Sequence, residues 1–207
     1  MKTNSDFYES LEHLDQHLLR DKHYRLRIID RRNPITIIAP HGGFIEQGTS
    51  HIARAIAGSE HNLFDFQGLR QRRAYELHVT STNFRHPYLV NLLSRSKMAL
   101  SVHSMGKEND GTILIGGLNK EVKARIVKAL LAEGYPATTT HSRHRGVHPN
   151  NIVNLAPEKG VQIELTSKVI NRMFKPQTQL FKVDGSALEP TAYAERFIAI
   201  VRQALKG

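Results

Sequence analysis

The sequence predicts an α/β protein, a single domain over residues 1–207 with a largely parallel, mixed central sheet and helices on both faces. Three observations predict it. Short β-branched apolar runs such as Ile35-Thr36-Ile37-Ile38-Ala39 read as buried strands. They alternate along the chain with stretches of helical periodicity such as Lys120–Ala132. Proline and paired glycines punctuate the boundaries, and there is no repeat or low-complexity linker.

Residues 1–33 read as a polar helix and a charged connector, Arg25–Asn33, packed on the domain. Pro34 precedes strand Ile35–Ala39, whose composition suits burial on both faces, and Pro40-His41-Gly42-Gly43 ends it. Thr49–Ala57 has helical character, with Gly58 as its stop. Asn62–Phe66 and Tyr75–Thr80 are expected as the next strands, the second from its alternation. Leu89, Val90, Leu92 and Leu93 make His86–Ser96 a helix, opened at Pro87. Met98–Val102 is a strand closed by His103-Ser104, and Thr112–Ile115 one that ends in Gly116-Gly117. Val122, Ile126, Ala129 and Leu130 form one stripe of helix Lys120–Ala132, bounded by Gly134. Ala137–Thr140 reads as a short strand. His141–Asn154 has no clear period and contains Gly146 and Pro149, as a loop of functional length does. Strand Val161–Leu165, short helix Ser167–Phe174 and amphipathic helix Glu189–Leu205 complete the chain.

Composition narrows the chemistry. With no cysteine there is no disulfide, no thiolate nucleophile and no Cys-type zinc site, so a metal must be held by the 12 histidines and the carboxylates. No apolar run approaches the ~18 residues of a membrane span. The N-terminus has no apolar signal core, which predicts a cytoplasmic location, with lysis as the route to any extracellular target. The 29 Lys+Arg against 19 Asp+Glu give a formal charge of +10, which points to an anionic partner. The densest basic run is only Arg70, Arg72 and Arg73, and aromatics are 7% with no Trp, which speaks against a nucleic-acid module.

Ligands of open α/β sheets bind beyond the carboxyl ends of strands. Strand Ile35–Ala39 runs into His41, with Glu46 five residues on across a Gly-Gly turn; Met98–Val102 delivers His103; Val161–Leu165 carries Glu164 near its end. If these strands are adjacent and parallel, two histidines and two carboxylates share one crevice. Two His and one Glu make a zinc site with a position open for water, and a further carboxylate beside it can move the proton. Gln162 and Glu164 share one side of their strand. Each residue also has a local reading. A single histidine at a strand end is most often a hydrogen-bonded surface or core residue. Glu46 also suits the start of the helix at Thr49, and Glu164 could pair with Arg172. Spacing alone leaves both readings open.

Several ordered motifs go further: APHGGFIEQGTS at Ala39–Ser50, LFDFQGL at Leu63–Leu69, LHVTSTNF at Leu77–Phe84 and SVHSM at Ser101–Met105. IGGLN at Ile115–Asn119, NNIVN at Asn150–Asn154 and GVQIELTS at Gly160–Ser167 follow. Over Ile35 to Arg172 the chain resembles the phage and bacillus-type poly-γ-glutamate hydrolases, small relatives of zinc carboxypeptidases of the carboxypeptidase A type. The resemblance implies a zinc-carboxypeptidase-like fold, Zn2+ held by His41, Glu46 and His103, and Glu164 as catalytic glutamate. It implies hydrolysis of the γ-amide bond between glutamyl residues, so the expected partner is an anionic polyglutamate. Phages use such enzymes to strip a polyglutamate capsule. Larger carboxypeptidases space their first two ligands as His-x-x-Glu, so the wider gap here favours the polyglutamate branch. Two positions depart from the pattern: Asn83 where a histidine is expected, and Leu155 where an arginine is. Both bear on the substrate cleft, for which His78, Asn83, Arg143, Asn151, Asn154 and Arg172 are the candidates by motif position or charge. The alternatives are a zinc-dependent N-acyl amino acid or formylglutamate-type deacylase, a cell-wall γ-glutamyl peptidase, and a non-catalytic basic protein associated with nucleic acid.

Overall fold

Neighbouring residues of the central strands are both apolar, so each strand feeds two cores. In β2 (Ile35–Gly43), Ile37 faces one cluster and Ile38 the other; in β3 (Asn62–Gly68), Leu63 and Phe64 divide in the same way. The computed structural model describes residues 6–105, 110–140, 143–176 and 188–207. Its remaining strands are β1 (Tyr24–Ile29), β4 (Met98–Met105), β5 (Ile113–Gly116), β6 (Ala137–Thr138) and β7 (Gly160–Thr166). All seven form one sheet in the order β1-β3-β2-β4-β7-β5-β6. The inner four, β3, β2, β4 and β7, run parallel; β1 and β5 pair antiparallel to β3 and β7, and β6 runs parallel to β5.

One face carries α2 (Thr49–Ala57), α4 (Lys120–Ala132), α5 (Ser167–Met173) and α6 (Ala192–Leu205), packed through Ile52, Ile56, Ile126, Leu130, Phe197 and Val201. The other carries α1 (Leu11–His17) and α3 (Pro87–Ser94), where Leu11, Leu14, Leu89 and Leu92 meet Phe64, Phe66 and Phe84. Caps fix the helix starts: Ser10, Asn119 and Thr191 accept from backbone N–H groups at α1, α4 and α6, and the His86 ring does so at α3, ahead of Pro87. Among the described residues, no helix is long and apolar enough to cross a membrane.

The fold class read from the sequence stands, with local corrections. Arg25–Asn33 is not wholly a connector: Tyr24–Ile29 is an edge strand on which Tyr24 and Leu26 are buried while Arg25 and Arg27 face out. Tyr75–Thr80 is not a strand. Ala74–Leu77 is a 3₁₀ turn that follows Arg73 in the left-handed region (φ 58°), and among the described residues no strand pairs with those beyond it. The strand at Ala137–Thr140 shrinks to two residues, and the long loop, of which His141 and Ser142 lie outside the described residues, ends in a 3₁₀ turn at Ile152–Leu155.

Candidate active site

The three strands expected to carry the site are neighbours, in the order β2, β4, β7. At their carboxyl ends lies a cavity of about 460 Å³ lined by His41, Glu46, His78, His103, Ser104, Gln162 and Glu164, with Thr80–Thr82, the loop 143–148 and Asn151 completing the wall.

His41 lies in a bulge of β2, whose parallel register with β3 shifts between Ala39 and Gly42. Gly42 and Gly43 then turn the chain. A side chain at Gly42 would collide with Ser50 Oγ and Asp65 Oδ1, and Gly43 holds φ +64° against the Gly68 backbone. The turn closes with the Glu46 N–H donating to the His41 carbonyl at 2.7 Å, which brings the Glu46 carboxylate back to the His41 ring. Glu46 Oε1 lies 2.8 Å from His41 Nδ1, and Oε2 accepts from the Ser104 N–H at 2.9 Å and lies 3.6 Å from His103 Nδ1. Thus the Glu46 side chain serves the cavity and not the start of α2. Burial alone would raise its carboxyl, but the adjacent His41 imidazole, by charge and hydrogen bond, and the nearby His103 hold it well below the ordinary carboxylate range.

His41 Nε2 lies 2.9 Å from the Val79 carbonyl, which can only accept, so Nε2 carries a proton. The Nδ1 facing Glu46 then either bears a second proton or offers its lone pair to a cation shared with Glu46. The His41 and His103 rings meet edge-on, with centroids 5.0 Å apart. His103 Nε2 is buried with no hydrogen-bond partner. His78 lies over His41 with centroids at 4.0 Å, and ligand atoms of His41, Glu46 and His78 fall within 4.8 Å of one another. Among the described residues, the ion-pair partners of Glu46 are the imidazoles of His41 and His103, with no Lys or Arg. A largely buried carboxylate among imidazoles, with a histidine nitrogen left orphaned, is the donor set that suits Zn2+.

Glu164 sits beside this group. On β7 it is the register partner of His103, and its Oε1 accepts from the Gln162 amide at 2.8 Å. Gln162 is the residue sequence reasoning passed over. Its amide also donates to the His144 carbonyl at 3.2 Å and its Oε1 accepts from Asn151 at 2.8 Å, so it ties the loop to Glu164. The signal was its alternation with Glu164 on an otherwise apolar strand. Asp65 was also missed. Buried behind the turn, it accepts from Ser50, which in turn receives the Gly43 N–H. Burial pushes its carboxyl up, against hydrogen bonds from Ser50 and Gln67 and the charge of Arg54.

Of the substrate candidates, His78, Arg143 and Asn151 line the cavity. Asn83, Asn154 and Arg172 do not. Asn83 is exposed in the turn after Thr80. Asn154 is buried holding the loop, donating to the Gly146 and His148 carbonyls. The Arg172 guanidinium lies 4.1 Å from the Tyr193 ring centroid, beside a separate cleft, so it is not the salt-bridge partner once open to Glu164.

The chain is 37% identical over 153 residues, 72% of its length, to the SPbeta prophage-derived UPF0714 protein YoqZ of Bacillus subtilis (strain 168), and 33% identical over 145 residues to YndL of the same organism. It spans about half the length of these curated relatives, 54% and 57% respectively. A solved structure of a bacteriophage poly-gamma-glutamate hydrolase superposes with a TM-score of 0.89 at 29% identity, covering 98% of this chain and 97% of that one. A zinc-free form of YndL superposes with a TM-score of 0.88 at 28% identity, covering 98% of each. The model of one family matches residues 8–199, and by that match this chain belongs to the poly-gamma-glutamate hydrolase family.

Proposed function

We propose that this chain is a zinc-dependent hydrolase of the γ-glutamyl amide bonds of poly-γ-glutamate, with His41, Glu46 and His103 holding the metal and Glu164 acting on the proton. The observation that carries it is the register pairing of His103 with Glu164 beside the His41–Glu46 pair in one cavity. His103 is preferred to His78 as the third ligand because it is buried at a strand end. His78 projects from a loop, and its ring lies only 31° from parallel to His41. Nitrogen lone pairs lie in the ring plane, so stacked rings converge poorly on one point.

Zinc, when bound, would lower the pKa of a water and polarise the scissile carbonyl. Glu164 would take the proton of the attacking water and pass it to the leaving nitrogen. Gln162 would hold that carboxylate in place by its 2.8 Å hydrogen bond, and Asn151 would hold Gln162. The loop carrying Arg143 and Arg145 lines the same cavity, where guanidinium forks suit substrate carboxylates. The zinc-free state solved for YndL, together with the family membership, supports a zinc site here.

The test is polymer length. Poly-γ-glutamate incubated with the protein should shorten; a chelator should stop this, and added zinc should restore it. Shortening that ignores the chelator would overturn the metal reading, and an intact polymer with zinc-loaded protein would overturn the substrate.

A further inference from the structure

The segment before α1 reaches the site through one side chain. Tyr8, Leu11 and Leu14 anchor this segment in the core, and Asp6 stands two residues ahead of Tyr8. Although 72 residues away in sequence, Asp6 Oδ1 accepts from His78 Nδ1 at 2.8 Å, and its Oδ2 accepts from the Thr80 N–H at 2.6 Å. One carboxylate therefore clamps both neighbours of Val79. Val79 is fully buried, and its carbonyl is the group that receives the His41 Nε2–H.

We propose that Asp6 is a positioning residue for the metal centre. It fixes the peptide whose carbonyl sets the His41 tautomer, and it holds the His78 ring over His41. The proton on His41 Nε2 is what leaves Nδ1 on the Glu46 side free to serve as a ligand. Partners of this kind, one step removed from the metal, orient the ligand and raise its basicity. Asp6 lies two residues before the start of the family match at residue 8, and Val79 contributes its backbone carbonyl. The Asp6 side chain is only 10% exposed, and both its oxygens are spent on this one loop. This proposal rests on the zinc reading above.

The test is zinc titration calorimetry on the full chain, comparing wild type, Asp6→Asn and a control, Leu130→Ala, which cuts a cavity on the opposite face. Asp6→Asn should bind zinc at least ~10-fold more weakly, and Leu130→Ala should bind as wild type does. In the metal-free wild type at alkaline pH, nitrogen NMR should find the His41 proton on Nε2, a readout that does not require any variant to fold. Wild-type affinity in Asp6→Asn, an equal loss in Leu130→Ala, or a His41 proton on Nδ1 would overturn the proposal while leaving the zinc reading standing. A wild type that binds no zinc would overturn both.

Discussion

His103 and Glu164 are register partners on the neighbouring parallel strands β4 and β7, so one buried strand pair presents an imidazole and a carboxylate side by side at its carboxyl end. Their roles separate experimentally. His103→Ala removes a proposed ligand and should weaken zinc binding by more than ~100-fold, beyond the usual loss for a residue one step removed from the metal. Glu164→Gln should keep zinc affinity within a few-fold of wild type. Calorimetry on the two variants checks this.

Gln162 is the second lever. In Gln162→Leu the Asn151 amide, the His144 carbonyl and Glu164 each lose a partner. Removing the acceptor of the buried Asn151 amide costs roughly 1–3 kcal/mol. Urea denaturation should show a loss in that range, with turnover falling while zinc affinity stays.

Gly43 bears the geometry of the turn between His41 and Glu46. Its φ of +64° and the Gly68 backbone beside it exclude a side chain. Gly43→Ala should destabilise by about 2 kcal/mol or more. It should also weaken zinc binding, because the turn it sits in delivers Glu46 to His41.

Stability should fall on acidification. Burial disfavours the imidazolium of His61 and of His86, holding both below the ordinary 6.5. As pH drops below 6.5 the unfolded chain therefore takes up protons first. The stability these residues contribute is full above that pH and is lost as pH falls through their folded values. Asp65, raised by burial, works in the other direction: its contribution is lost as pH rises through its folded value. His86 accepts the Tyr88 N–H as the cap of α3, a bond its protonated ring cannot make. His86→Asn, which retains a capping acceptor, should show a shallower acid decline in denaturation midpoint.

The charge of +10 predicts steering of an anionic polymer. Rising salt should slow hydrolysis of poly-γ-glutamate more than hydrolysis of a short neutral γ-glutamyl analogue. Equal responses would leave the excess charge without a role in catalysis.

The residues that were legible are those whose burial is written into local pattern. Ile35–Ala39, Met98–Val102 and Val161–Leu165 are apolar on both sides, which marks inner parallel strands, and the polar residues at their ends then stand out. Tyr24–Ile29 was hidden because an edge strand carries charge on its open side, and Arg25 and Arg27 read as connector. Tyr75–Thr80 imitated a strand by alternation, while its conformation is set by tertiary contacts: His41 on the Val79 carbonyl, and Asp6 on His78 and Thr80. Asp6 was silent because its partners are distant in sequence, and Arg172 and Asn154 turned away because a tyrosine ring and loop carbonyls hold them.

The central claim is that Glu164, beside a zinc held by His41, Glu46 and His103, cleaves γ-glutamyl bonds. The rate at which new amino ends appear from poly-γ-glutamate tests it most directly, with zinc-loaded wild type and zinc-loaded Glu164→Gln compared at equal metal occupancy. The account predicts steady release by wild type and a fall of roughly 10²–10⁴-fold in the variant, the range for losing a general acid–base group. Equal rates in the two proteins, or no release by the zinc-loaded wild type, would contradict it.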